Sequence, residues 1–183
     1  MFKLNDRVFY PGHGVALIED IMEKVVSDKK MKFFKLKFLY KDMTILIPYR
    51  GDVNSGIRRL SDQQTIDKAI AELSKEPLKK NTFLDYAPNS WNKRNRDYQF
   101  RLQSGDLLDM VKIYRDLMFF SKDKELSFGE KKLLKTIKDL LLEEFVVVKN
   151  CDKESVLQIL QNPFQQMQFI NHASNVTTFP SVV

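Results

Sequence analysis

The hydrophobic period of this chain changes once along its length, and that change restricts the folds open to it. From Met31 to Tyr40, lysines alternate with Phe34, Leu36 and Phe38. A period of two places alternate side chains on opposite faces of a half-buried strand. Beyond Gly56 the alternation stops, and Ile66, Ala69, Ile70 and Leu73 recur at intervals of three and four. That is the spacing of one face of a helix. A β-patterned first third followed by an α-patterned remainder predicts an α+β fold, with strands and helices segregated along the chain.

Within the first sixty residues, Arg7–Tyr10 reads as a short strand stopped by Pro11-Gly12, and Val15–Val26 as a longer, branched one. Thr44–Ile47 is another, closed by Pro48. Ser27-Asp28-Lys29-Lys30 and Lys41-Asp42 carry turn chemistry between them. Several short strands with close turn signals predict a small antiparallel β-barrel over residues 1–60. Residues 61–89 are expected to hold one short helix and then a linker, marked by Pro77 and Pro88 among polar neighbours.

From residue 90 to about 160 the pattern is helical. One helix is expected from Trp91 to about Gln103. Ser104-Gly105-Asp106 ends it and starts the next, because glycine suits a helix C-terminus and aspartate the following N-cap. Leu107, Met110, Val111, Tyr114, Leu117 and Met118 line one face of that second helix. Ser127-Phe128-Gly129-Glu130 fits a capping box opening a third, and Leu133, Leu134, Ile137, Leu140, Leu141 and Phe145 form its apolar stripe. Residues 152–160 are read as a short fourth helix. Gln161 to Val183 holds no Lys, Arg, Asp or Glu, and is expected to be a poorly ordered tail.

Composition narrows the functional classes. The chain has 183 residues, and 30 Lys and Arg against 24 Asp and Glu give a net charge of +6. A moderate basic excess suits a polyanionic partner without identifying one. One cysteine, Cys151, permits no internal disulfide, and no apolar run is long enough to span a bilayer. A cytoplasmic protein is the expectation. Catalytic machinery is not evident. The two histidines, His13 and His172, and Cys151 do not form a zinc spacing, and no phosphate-loop or nucleophile-elbow motif occurs. His13, flanked by Gly12 and Gly14, is read as shaping a turn. Neighbouring acids such as Glu19-Asp20 and Glu143-Glu144 are read as solvated surface. No cofactor or metal is expected, and the chain is not read as an enzyme.

One constellation stands out. Trp91, the only tryptophan, opens a helix that continues with Lys93, Arg94, Arg96 and Arg101 against a single acid, Asp97. A large ring beside a basic cluster has the parts of a minor-groove wedge, cations holding phosphates while the ring enters beside a base step. The pattern also fits a core or interdomain tryptophan with solvated charges around it.

Six segments in order resemble the CarD/CdnL family of bacterial transcription regulators, whose N-terminal module also opens the polymerase-interacting domain of transcription-repair coupling factors. Phe2-Lys3-Leu4-Asn5-Asp6-Arg7-Val8-Phe9-Tyr10-Pro11-Gly12-His13-Gly14 resembles the family opening, with Asn5 in place of the usual glycine. Gly56-Ile57-Arg58, Trp91-Asn92-Lys93-Arg94, Leu102-Gln103-Ser104-Gly105-Asp106, Arg115-Asp116-Leu117 and Leu126-Ser127-Phe128-Gly129-Glu130-Lys131 match the remaining elements. The resemblance spans roughly residues 2–145. It implies a Tudor-like barrel that binds the β subunit of RNA polymerase, and a helical domain that contacts promoter DNA at the upstream edge of the transcription bubble. Trp91 would enter the distorted minor groove, with Lys93, Arg94, Arg96 and Lys131 on phosphates. Lys24, Lys35, Lys37 and Leu46 are the polymerase-facing candidates, Leu46 standing where some relatives carry arginine. The implied protein is a monomer that stabilises the open promoter complex with little base specificity. The rival readings are a stand-alone DNA-binding regulator and a protein-only adaptor with a Tudor-like module.

Overall fold

The computed structural model describes residues 2–49, 56–75 and 88–174. Strands β1 (Arg7–Tyr10), β2 (Gly14–Val26), β3 (Lys29–Phe38), β4 (Thr44–Pro48) and β5 (Arg58–Arg59) form one antiparallel sheet in the order β4-β3-β2-β1-β5. Among the described residues the sheet stays open: β4 pairs only with β3, and the two-residue β5 only with β1. The barrel expected from turn spacing is therefore an open curved sheet, since closure requires the two edge strands to bond each other. A break in register between Ile18 and Asp20 marks a bulge in β2, the kind of irregularity that bends a strand.

Pleating explains how the sheet joins the helices. Val8, Ala16, Ile18, Phe34, Leu36, Phe38 and Ile47 are buried together on one face. Their neighbours Phe9 and Val15, paired across β1 and β2, point the other way and are buried among the helices. Strand β1 is thus covered on both sides, and the sheet and helical cores meet across it.

The helices are α1 (Gln63–Leu73), α2 (Pro88–Ser104), α3 (Leu107–Asp123), α4 (Phe128–Lys149) and α5 (Lys153–Ser174). Gly105, at φ 70°, follows α2, and Asp106 caps α3 by accepting from the Asp109 amide. The capping box of α4 is formed in both directions between Ser127 and Glu130. Helix α1 contributes Ile66, Ala69 and Leu73 to the helical core, and the buried Arg115 of α3 donates to the Glu72 carboxylate at 2.8 Å. The segment between α1 and α2 expected to be a linker lies largely outside the described residues. Helix α5 continues through Ser174, past residue 160 where the periodic pattern gave out. Phe164 anchors it by edge contacts with Tyr114 and Phe119, and Lys122 donates to its carbonyl at 2.9 Å. Residues 175–183 of the expected tail lie outside the described residues.

The acidic pair Glu143-Glu144 is not surface. Both side chains are buried, and each reaches the β-domain. Glu144 accepts two bonds from Arg58, both at 2.7 Å, and further bonds from the Ser61 amide and hydroxyl at 2.9 Å. Glu143 accepts from the Val15 amide at 3.0 Å and pairs with Lys41 at 3.4 Å. Because β1 and β2 leave one face to the helices, α4 must bury polar atoms against their turn, and the two carboxylates satisfy them.

Candidate nucleic-acid interface

Helix α2 sorts its charges by face. Tyr98 and Leu102 are buried, and Trp91 packs at the edge of the same core, with Arg94 alongside. Positions 91, 94, 98 and 102 share one side of a 3.6-residue helix. Lys93, Arg96 and Phe100 share the opposite side and are exposed, Phe100 at 74 %. The cluster that reads as one unit along the sequence is therefore divided between core and solvent.

Trp91 is half-buried and lies against the first turn of α4. A Cβ added to Gly129 would come within 3.2 Å of the indole Cζ2, so glycine there lets the ring seat on the helix backbone. Arg94 turns inward: its side chain is 18 % exposed, its guanidinium is 3.5 Å from the Glu130 carboxylate, and it stacks 4.9 Å from the centre of the Phe120 ring. Burial alone would raise the Glu130 pKa. Hydrogen bonds from the Ser127 hydroxyl and amide, with the charges of Lys124 and Arg94, instead hold it below the usual carboxylate value. Glu130 thus remains ionised and ties α2, the cap of α4 and the end of α3 at the seat of Trp91.

The exposed face of α4 is basic. Phe128, Lys131, Lys132 and Lys135 fall at i, i+3, i+4 and i+7 and are all exposed, Phe128 at 85 %. Lys131 pairs with the exposed Glu125 at 2.6 Å, a contact that competes weakly with other anions because both groups are hydrated. The contact of Trp91 with Gly129 brings the starts of α2 and α4 together next to the exposed Phe128, while Lys93 and Arg96 lie on the side of α2 away from Trp91. Sequence reasoning named Lys131 but not Lys132, Lys135, Phe100 or Phe128. The seven-residue spacing on α4 carries that signal, but the buried stripe of the same helix drew the reading first.

The polymerase-facing candidates divide into two places. Lys35 is cross-strand to Leu46, and Lys37 to Thr44, so Lys35, Lys37 and Leu46 share the outer face beside edge strand β4. Glu19 pairs with Lys35 at 2.7 Å and lies 3.8 Å from Lys37. The Lys35 hydrogen bond lowers the Glu19 pKa, and the same bond raises that of Lys35. Lys24 lies farther out, opposite Met31, where β2 and β3 run on as a two-stranded ribbon beyond the end of β4. At that tip Val25 and Val26 are exposed.

Among the described residues no group of three His, Cys, Asp or Glu side chains is placed to hold a metal ion, and none of the described helices is long and apolar enough to cross a membrane. His13 bonds its Nδ1 to the Pro11 carbonyl at 3.1 Å and stacks on Tyr10, the geometry of a turn.

Residues 2–61 match the family described as CarD-like/TRCF RID domain, and residues 77–161 match the family described as CarD, C-terminal domain. A protein of Bacillus subtilis (strain 168) named "Putative transcription factor YdeB" is 26% identical over 156 residues, covering 85% of this chain and 97% of that protein. The two family matches fall on the sheet and on the helical half in the order the fold places them, and the chain belongs to the CarD family of transcription regulators.

Proposed function

We propose that this protein binds the β subunit of RNA polymerase through its sheet and upstream promoter DNA through the α2–α4 surface, and so stabilises the open complex. The observation that carries this reading is the sorting of α2. Lys93 and Arg96 stand in solvent on the side of α2 turned away from Trp91, while the exposed Lys131, Lys132 and Lys135 of α4 follow the Gly129 on which Trp91 rests. Cations at these positions would neutralise phosphates without reading bases. Trp91 would present its free edge to the distorted minor groove, and the Arg94–Glu130 pair would hold the indole in place. In this arrangement Arg94 positions the ring, while Lys93, Arg96 and Lys131 face the phosphates.

The sheet suits a protein partner. Among the described residues strand β4 is an edge of the sheet, flanked by exposed Leu46 and by Lys35 and Lys37. Strand addition supplies affinity through main-chain bonds and specificity through such side chains. Polymerase docking would raise the local concentration of the helical domain at the fork, so the DNA contacts can be individually weak. A ligand that binds the melted state better than the closed state shifts the equilibrium toward it.

The test is a pull-down of polymerase, nuclease-treated, with wild type and with Leu46→Glu/Lys35→Glu. Retention by wild type and loss by the double variant are expected. A wild-type protein that retains no polymerase, but shifts a promoter fragment alone, would favour the stand-alone regulator instead.

A further inference from the structure

We infer that Phe128 is a second aromatic contact to the promoter DNA, stacking on an unpaired or partly unstacked base next to the position taken by Trp91. The inference rests on the proposed reading of the α2–α4 surface as the DNA-facing side, and it concerns a residue to which that reading gives no task.

Phe128 is the most exposed of the large apolar side chains among the described residues, at 85 %. Its position explains why it finds no cover. Ser127 is the N-cap of α4, so Phe128 is the first helical residue, and the chain before it is already committed to the cap. Gly129 follows and meets the Trp91 ring. Successive residues of a helix are turned by about 100°, so when Gly129 faces Trp91, Phe128 faces solvent beside it. The side chains that continue its face along α4 are Lys131, Lys132 and Lys135. An isolated exposed phenylalanine has no use for three lysines on its own face. A polyanion with π-faces has use for both, because cations follow the backbone and aromatic rings stack on bases irrespective of sequence. The same pairing recurs on α2, where Phe100 shares its face with Lys93 and Arg96. Charge complementarity therefore selects nucleic acid over an apolar protein groove, and proximity to Trp91 places the contact at the bubble edge.

The experiment measures open-complex lifetime with purified polymerase and a weak promoter, adding wild-type full-length protein, Phe128→Ala, Phe128→Trp or Lys93→Glu/Arg96→Glu. Phe128→Ala is expected to cut the added lifetime by about five- to tenfold, the loss of one stacking partner, with polymerase binding intact and the melting temperature unchanged. Phe128→Trp should retain the effect. A photo-crosslinking benzophenone residue at position 128 should label a promoter strand. If Phe128→Ala matches wild type while Lys93→Glu/Arg96→Glu loses the effect, the inference is overturned and the DNA-facing surface stands. If Lys93→Glu/Arg96→Glu also matches wild type, the reading beneath it fails as well. Labelling of a polymerase subunit alone would overturn the inference by making Phe128 a protein contact.

Discussion

Arg58 and Glu144 join the two halves of the molecule through paired hydrogen bonds of 2.7 Å, with Glu144 wholly removed from solvent. The same guanidinium lies 4.1 Å above the Phe9 ring and donates through Nε to the Gly105 carbonyl. One side chain thus holds the sheet, α4 and the α2–α3 turn. A planar fork that satisfies a carboxylate, a carbonyl and an aromatic face at once has no equivalent in lysine.

Removal of either partner should be costly. Arg58→Met leaves the buried Glu144 carboxylate without its counterpart, a loss of about 3 kcal/mol or more, and Glu144→Gln leaves the part-buried Arg58 guanidinium without one. At roughly 2–4 °C per kcal/mol for a chain of this size, the melting temperature should fall by about 6–12 °C. Thermal unfolding followed by circular dichroism checks this. A shift of a degree or less would mean that the pair forms no strong link.

The adjacent Glu143 should behave differently. Burial raises its pKa despite the Val15 amide bond and the nearby Lys41. A carboxyl whose folded value is raised binds protons more readily folded than unfolded, so its contribution to stability falls as pH rises from about 4.5 through the raised value. Glu130 has the opposite sign. Its pKa is lowered, so its contribution is present above about 4.5 and is lost as pH falls through the lowered value. Glu143→Gln should therefore cost far less than Glu144→Gln at neutral pH, and Glu130→Gln should flatten the acid side of the stability profile. Denaturant midpoints between pH 3 and 7 test both, and a Glu130→Gln profile identical to wild type would contradict the assignment.

Gly14 should tolerate no side chain. Its φ of 104° disfavours any other residue, and an added Cβ would lie 1.8 Å from a Glu143 carboxylate oxygen. Gly14→Ala is expected to destabilise by about 1–3 kcal/mol from the backbone alone, and more through displacement of Glu143. The double variant Gly14→Ala/Glu143→Ala should recover part of the loss. Full additivity of the two single changes would show that the side chains do not meet.

The basic face predicts a salt dependence. Each cation that releases counterions steepens the log–log slope of duplex binding by about 0.9. Lys93→Gln/Arg96→Gln should make the DNA-dependent part of promoter-complex affinity less steep by about 1.8. Titration from low to moderate salt measures it, and an unchanged slope would remove these two residues from the phosphate contacts.

These relationships were unevenly legible in the sequence. The strands and helices followed from the switch in hydrophobic period, because periodicity is a local property of the chain. The capping box and the glycine before Asp106 were legible for the same reason. The partners of those elements were not. Pro11 and Gly105 belong to segments that resemble a family separately, yet a Cβ on Gly105 would meet the Pro11 ring at 2.7 Å. Gly14 and Arg58 meet the acids that read as surface, Glu143 and Glu144, because nothing in an acidic pair announces what will bury it. Lys93 and Arg94 are neighbours in sequence, but one faces solvent and the other Glu130, because a helix turns by about 100° between them. Openness of the sheet was also hidden, since turn signals report where strands end and not whether the edges meet.

The most direct test of the central claim is the lifetime of the open promoter complex with wild-type protein and with Trp91→Ala, both shown to bind polymerase and to be folded by melting temperature. The account predicts that wild type prolongs the open complex and that Trp91→Ala loses most of this effect while still bound to polymerase. Equal prolongation by the two proteins would contradict it, and would leave Trp91 as a packing residue between α2 and α4.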